Sequence, residues 1–459
     1  MYMNNIMQAY IKKYSFKKDE IIDLFISGND DMCEINITDL SNNKIFFSSE
    51  CKVYQQKTPI LSFAEGCDWK VSFKIHLEKL NLEPDLYIIR CKQDDDNIFY
   101  IPFVLLNTDK KKDIAVVVNT NTWNAYTEYG EGSFYWINGA GNAGFIDERS
   151  NCIYNKTDDG QHSKDVPDSS AVVSFNRPFT RVHVDIQCLF KEKDFRSNEH
   201  KLHSHLFYGE THLWLWLKKH NFDFDFVTDQ DVENYDLFKD RKIIMLNCHP
   251  EYWSHKMYYN LLKSLDEYNT NIIYLGGNGI WRKIYFNEEK NRIEKMGRPY
   301  YGNVVNNYKN LFSEDEFAKN NPIDVPPFAI LGVGYWGPHE PFEFKDFKCT
   351  DNNHWIFENT DLKIGDIVGK INDGGPPAGN ENDFFTGNSL LDEETKNKYF
   401  KNIKILGKSL HDKQFGEIVM QKYKNSSIFS CGSIPFTRCI NDPQVTIMIK
   451  NVIKKFIKN

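Results

Sequence analysis

The fold class that this sequence predicts is α/β in two parts: an N-terminal β-sandwich over residues 1–110, then one α/β domain built on a parallel sheet over residues 111–459. Three observations predict it. Up to about residue 110, short β-type runs alternate with polar and Pro-containing turns such as LNLEPD and CKQDDDN. Directly afterwards, Ile114–Asn119 (IAVVVN) is an apolar run of the kind found in a strand covered on both faces. From there onward, strand-like and helical patterns alternate, the order that builds a parallel sheet with helices on both faces.

The first part reads as strands at Phe25–Ile26, Cys33–Ile37, Lys44–Phe47, Trp69–His76, Leu86–Cys91 and Ile98–Leu105. KVSFKIHL alternates with period 2, so one of its faces is buried. Asn107–Lys112 reads as a linker. In the second part a helical stretch near His200–Lys219 leads to strands at Phe222–Val227 and Ile243–Asn247. Ser254–Tyr268 is a helix, capped by Ser254, with Met257, Leu261, Leu265 and Tyr268 on one face. Ile272–Leu275 is another buried strand and ends in Gly276-Gly277-Asn278-Gly279. Residues 282–425, with many Gly, Pro and Asn, are expected to form long loops over the sheet. A strand at Ile428–Cys431 and a helix from Pro443 close the chain. Asp442 caps that helix, and Val445, Ile449, Val452 and Phe456 form its buried stripe.

Composition narrows the function. With 459 residues, 41% of them hydrophobic, there is ample material for a large core, and a net charge of −8 gives no electrostatic case for nucleic acid. The N-terminal stretch is broken by polar residues and lacks an apolar signal region. No window approaches the roughly 18 consecutive apolar residues of a membrane helix. The expectation is a cytoplasmic protein with no membrane partner. Ten cysteines without CxxC spacing read as reduced and mostly buried.

Open parallel sheets bind ligands at the carboxyl ends of their strands. Three strand ends here carry most of the polar and phenolic groups of the region: Asn119 through Tyr126 to Tyr135, Asn247 through His249 to Tyr252, and Gly276–Gly279. Pro250 holds His249 extended, and residues two apart in an extended chain point the same way, so His249 and Glu251 can face one site. A polar turn capping the following helix fits the spacing equally well. Tyr126 and Tyr135, among 24 tyrosines, read first as core or surface. The GGNG turn lacks both GxGxxG spacing and the lysine of a phosphate-binding loop, so Asn278 reads better as a residue that positions an amide or an oxyanion. Cys248 before His249 suggests a nucleophile, but Pro250 and the missing small neighbours favour a structural thiol. His200, His203, His205 and His212 share no helical face and read as surface or core.

NTWNAY at 121–126, SFY at 133–135, FNRP at 175–178, HPEYWS at 249–254 and YLGGNGIWR at 274–282 together resemble the N,N-dimethylformamidase large-chain family. VGYWG at 333–337, Gly379–Asp383 and FSCGSIPF at 429–436 extend the resemblance, which covers roughly residues 85 to 459. It implies an Ig-like β-sandwich followed by a class I glutamine-amidotransferase-like, flavodoxin-like domain without Cys-His chemistry. It implies a mononuclear non-haem iron, Fe(III), held by Tyr126, Tyr135 and Glu251, with Tyr129 as the substitute second tyrosine because the connection is short. His249 falls beside the metal glutamate, Asn278 on the asparagine of the GGN turn, and Glu381 on a glutamate that handles protons. The implied activity is hydrolysis of the C–N bond of a small amide or formamide. A homo-oligomer or a small second subunit is the implied kind of partner. Phenolate and carboxylate oxygens are hard donors suited to ferric iron, and Trp123, Phe134, Tyr252 and Trp281 are expected to form a small dry pocket. Two rival readings are a cysteine amidase or amidotransferase using Cys248 and His249, and a non-catalytic binding protein.

Overall fold

A computed structural model describes residues 7–135, 172–190, 204–295, 316–334, 344–379, 381–385, 393–400, 402–409 and 416–458. It is a mixed α/β structure with four sheets among the described residues.

The N-terminal strands form two of these sheets. Five strands lie in the order Ser15–Phe16, Ile98–Leu105, Asp85–Lys92, Asp31–Asp39, Ile45–Val53, and three in the order Gln8–Tyr10, Ile21–Ser27, Phe73–His76. Pairing is antiparallel except where Ser15–Phe16 runs parallel to Val104–Leu105. One continuous apolar core runs from Met7 and Ile22 through Ile89 and Val116 to Phe456. The connection near residue 110 is therefore a change of sheet within a shared core.

The central sheet has nine strands in the order Phe224–Thr228, Ile114–Val118, Ile243–Cys248, Asn271–Gly276, Ser426–Cys431, Glu417–Tyr423, Lys404–Ser409, Phe347–Cys349, Ile367–Val368. The first five are mutually parallel. The last four run antiparallel, which corrects the expectation of a wholly parallel sheet. It also corrects the expectation that residues 282–425 form only loops: Arg282–Asn287 and Arg292–Lys295 make a hairpin, and 347–349, 367–368, 404–409 and 417–423 widen the sheet. Most of these strands are short or half-buried, and Glu417–Tyr423 carries Glu417 and Gln421 among its buried residues, so they lack the continuous apolar runs that mark the parallel strands.

After Ile114–Val118 the chain builds Phe224–Thr228 on one side, then crosses to Ile243–Cys248 on the other. The strand order reverses there, and such a switch point opens a crevice at the carboxyl ends of the two strands. A fourth, small sheet lies beyond those ends, in the order Val172–Ser174, Arg292–Lys295, Arg282–Asn287, Tyr252–Ser254.

The helices follow their signals. Ser254 Oγ accepts the Met257 amide at 3.1 Å and starts His255–Tyr268, whose Met257, Leu261 and Leu265 are buried; Tyr268 is 40% exposed and leaves the expected stripe. Asp442 Oδ1 accepts the Gln444 amide at 2.9 Å and starts Pro443–Lys458, with Val445, Ile449, Val452 and Phe456 fully buried. The stretch expected near His200–Lys219 is helical over Phe207–Lys219; residues 200–203 lie outside the described residues. No helix among the described residues is long and apolar enough to cross a membrane.

Candidate functional site

The site is built where the switch point predicts. Ile114–Val118 runs into the short helix Thr120–Tyr126, and Ile243–Cys248 runs into His249-Pro250-Glu251. Polar residues of NTWNAY, with Asn119 just before it, tie the two segments together. Thr122 Oγ1 donates to the His249 carbonyl at 2.8 Å, Asn121 Nδ2 to the Tyr252 carbonyl at 3.1 Å, and Asn119 Nδ2 to the Asn247 carbonyl at 2.8 Å. The third segment follows Asn271–Gly276. A Cβ at Gly276 would sit 2.4 Å from the Cys248 carbonyl oxygen, so only glycine fits where the two strand ends converge. Cys248, Asn278 and Ile280 all have positive φ, at 59°, 51° and 50°. For a β-branched residue such as Ile280 this is a strained conformation, of the kind that collects at functional sites.

Four groups meet around a buried pair. His249 Nδ1 lies 3.1 Å from the Gly277 carbonyl, so it carries a hydrogen, and Nε2 faces Glu251 Oε2 at 3.0 Å, the Tyr126 hydroxyl at 3.2 Å and Glu381 Oε2 at 3.7 Å. Tyr135 donates to the same Glu251 oxygen at 2.9 Å and Tyr126 at 3.4 Å. Asn278 Nδ2 donates to Glu381 Oε2 at 2.8 Å. His249, Glu251 and Asn278 are buried, whereas the Glu381 side chain keeps 26% of its surface. Tyr126 and Tyr135 are partly exposed as well.

Charge is distributed unevenly. Burial opposes a charge on His249, but Glu251, by charge and by hydrogen bond, and then Glu381 outweigh it and raise the imidazole to about 9. Burial works against the Glu251 carboxylate too, yet His249 and Arg282, whose Nε is 3.5 Å from Glu251 Oε1, keep its pKa below the usual value. Burial and the charge on Glu251 raise Glu381. Burial, followed by the Glu251 charge, pushes Tyr126 and Tyr135 well above 10. These directions favour an imidazolium–carboxylate pair at His249 and Glu251 beside two neutral phenols.

With this geometry established, comparison with known proteins identifies the chain. The family model for N,N-dimethylformamidase beta subunit-like proteins, C-terminal region, matches residues 40–447. The chain belongs to the N,N-dimethylformamidase beta subunit-like family. The match begins at residue 40, inside the N-terminal strands, further upstream than the motifs alone reach. No curated protein matches the chain. Among solved structures, a ThuA-like protein from Bacteroides uniformis is similar at 13% identity and a TM-score of 0.31, covering 58% of this chain and 88% of that one.

Within this dimethylformamidase-like chain some candidates lie elsewhere. Tyr129, the substitute ligand, packs with Tyr10, Phe25, Cys67 and Trp69, and its hydroxyl is 3.1 Å from Thr58 Oγ1. Trp123 is core rather than pocket, since its Nε1 donates to buried Glu210 at 2.7 Å. Cys248 is fully buried, its thiol is raised well above 9 by burial and then by Glu210, and its Sγ faces Gly209. The sulfur thus packs in the core against the helix Phe207–Lys219.

Three site residues escaped the reading of the sequence. His205 stacks edge-on to Tyr126, with ring centroids 4.4 Å apart, and lies 5.6 Å from the His249 ring. Helical spacing misjudged it because the helix starts only at Phe207. The Tyr252 hydroxyl, expected only as a pocket wall, is 2.6 Å from that of Tyr135. Arg282 supplies the cation beside Glu251 and had been read only as the end of a motif. Its one available signal was parallel pairing of Tyr252–Ser254 with Arg282–Ile284, which no local pattern reveals.

Proposed function

We propose that this protein is a metal-dependent hydrolase of the C–N bond of a small amide or formamide, with one iron held by Tyr126, Tyr135 and Glu251. The observation that carries the reading is the convergence of two phenol oxygens on one carboxylate oxygen, at 3.4 and 2.9 Å, from separate strand ends. Such spacing suits oxygens that share one hard cation. The donor set also fits in charge, since two phenolates and a carboxylate balance a ferric ion. Among the described residues, no group of three or more His, Cys, Asp or Glu is placed to hold a metal ion, so a metal here would depend on the phenols. Burial first, and then the Glu251 charge, make the phenols weak acids, and a bound cation would invert that balance in favour of the phenolates.

When bound, the iron would supply Lewis acidity toward a carbonyl or a water. The residues of the chain would do the rest. Glu381, raised in pKa and partly exposed, takes the proton of the attacking water and returns it to the departing amine. Asn278 holds Glu381 through Nδ2, and its Oδ1 is buried without a partner among the described residues, which leaves an acceptor for water or substrate. His249, fixed through Nδ1 by the Gly277 carbonyl, directs an Nε2 hydrogen toward developing negative charge. Phe134, Tyr252 and Trp281 are buried and keep water from the inner side.

Metal content and the visible spectrum test this reading in the wild type, Tyr126→Phe, Tyr135→Phe and Glu251→Gln. Each substitution keeps nearly all the packing. The expected result is about one iron and a phenolate-to-iron band in the wild type, with both reduced in the variants. Equal iron and an unchanged spectrum in all four proteins would overturn the assignment.

A further inference from the structure

A guanidinium with no exposed surface lies against the loop that carries the two tyrosines. Arg177, in FNRP, has five N–H hydrogens and five acceptors. Nε donates to the Ser174 carbonyl at 3.1 Å. Nη1 donates to the carbonyls of Tyr129 at 2.8 Å and Gly132 at 2.9 Å, and Nη2 to the Asn124 carbonyl at 2.9 Å and Asn124 Oδ1 at 3.1 Å. None of the five is a carboxylate, although buried charges are ordinarily paired. Burial draws its pKa down to about 9, so holding the charge there is costly. What it grips accounts for its retention. Asn124 precedes Tyr126 by two residues, Gly132 precedes Tyr135 by three, and Ser174 belongs to the small sheet. Between the tyrosines the chain turns through Gly130 and Glu131, at φ 81° and 67°, and the Phe134 amide closes the loop on the Ala125 carbonyl at 3.0 Å. The two rings leave this loop with centroids 4.2 Å apart.

We propose that Arg177 is a positioning residue that sets the separation at which Tyr126 and Tyr135 meet over Glu251. The flat fork matters as much as the charge. It reaches carbonyls on three sides at once, whereas a lysine offers three hydrogens from one atom. The assignment rests on the reading of these tyrosines as the functional phenols, and its test has one arm that is independent of metal. In a crystal structure of metal-free Arg177→Lys, the Tyr135 hydroxyl is expected to leave Glu251 and the ring separation to widen. In the second arm, iron affinity by chelator competition is expected to fall at least tenfold in Arg177→Lys. Combined with Tyr126→Phe, the same substitution should cost less than threefold more, because the effect runs through the tyrosines. Asn124→Ala, which deletes one acceptor, should show a smaller loss of the same contacts and serves if Arg177→Lys does not fold. Unchanged tyrosine contacts in the variant crystal, or additive losses of affinity, overturn the proposal. A wild type that binds no iron removes the metal reading alone, and the crystal arm still decides the role of Arg177.

Discussion

At the scale of single residues, the site separates groups that look alike in sequence. Glu251 and Glu381 are both carboxylates near His249, but Glu251 has Arg282 beside it and two phenols donating to it, whereas Glu381 has an amide and partial exposure. Burial works against the charge on both, but His249 and then Arg282 hold Glu251 below its usual pKa, whereas burial and the Glu251 charge leave Glu381 raised, and the tasks proposed for them differ accordingly. Glu381→Gln is therefore expected to keep its iron while losing at least about 100-fold in turnover, the usual scale of general acid–base catalysis; steady-state rates beside metal content decide it, and a variant of near wild-type rate would remove Glu381 from the mechanism. Cys248→Ser tests the rival directly. With the thiol turned toward Gly209, activity should stay within a few-fold of wild type, and abolished turnover in a folded protein would restore the cysteine reading. The motif residues at 121–126, 249–251 and 278 were legible because strand ends collect functional groups, but the choice of Tyr135 over Tyr129 was not: both are phenols in one Gly-rich turn, and only the fold of that turn sends one to Glu251 and the other to Thr58.

At the scale of elements, the GGNG turn shows how an irregular segment is held. The Tyr274 hydroxyl donates to Asp383 Oδ2 at 2.7 Å and accepts the Gly279 amide at 2.8 Å, while Asp383 Oδ1 accepts the Asn278 amide at 2.8 Å. The turn and the segment carrying Glu381 are thereby locked together through a phenol two residues before the strand ends. Tyr274→Phe leaves the Gly279 amide and one Asp383 oxygen unpaired at almost constant volume, so it should cost about 1–3 kcal/mol in urea unfolding and lower turnover through Asn278. A loss of stability without any change in rate would show that the turn is not coupled to the site. Strands and helices with strong patterns, such as Ile114–Val118 and Pro443–Lys458, were readable because burial on both faces or along one stripe leaves a periodic trace. The four antiparallel strands were not: Phe347–Cys349 and Ile367–Val368 are only three and two residues long, Lys404–Ser409 is partly open to solvent and carries the polar residues of KILGKS, and Glu417–Tyr423 buries Glu417 and Gln421 among its apolar residues.

At the scale of the whole molecule, the shared core joins the N-terminal strands to the helices of the second part, and His183 sits in that seam. Its ring stacks on Phe99 at 4.4 Å, and Nδ1 accepts the Tyr100 amide at 3.2 Å, which requires the neutral ring. Burial lowers its pKa to about 3, against about 6.5 when the chain is unfolded. Between those values the unfolded chain takes up a proton that the folded one refuses. The contribution is thus complete above pH 6.5 and is lost as the pH falls toward 3, by up to about 1.4 kcal/mol per pH unit. Urea midpoints measured from pH 7 to 5 should fall, and less steeply in His183→Gln; parallel curves would clear His183 of the effect. The division between sequence and structure runs along the same line. By itself the sequence determined the α/β class, the family and the three strand-end segments that meet at the candidate site, because burial, capping and motif order are local properties of the chain. Only the tertiary structure decided which tyrosine reaches Glu251, that His205 and Arg282 join them, that Cys248 packs against Gly209, and that Arg177 grips the loop between the phenols. Each of these depends on contacts between residues far apart in the chain, where the direction of a side chain is set by what packs against it and leaves no trace in its neighbours.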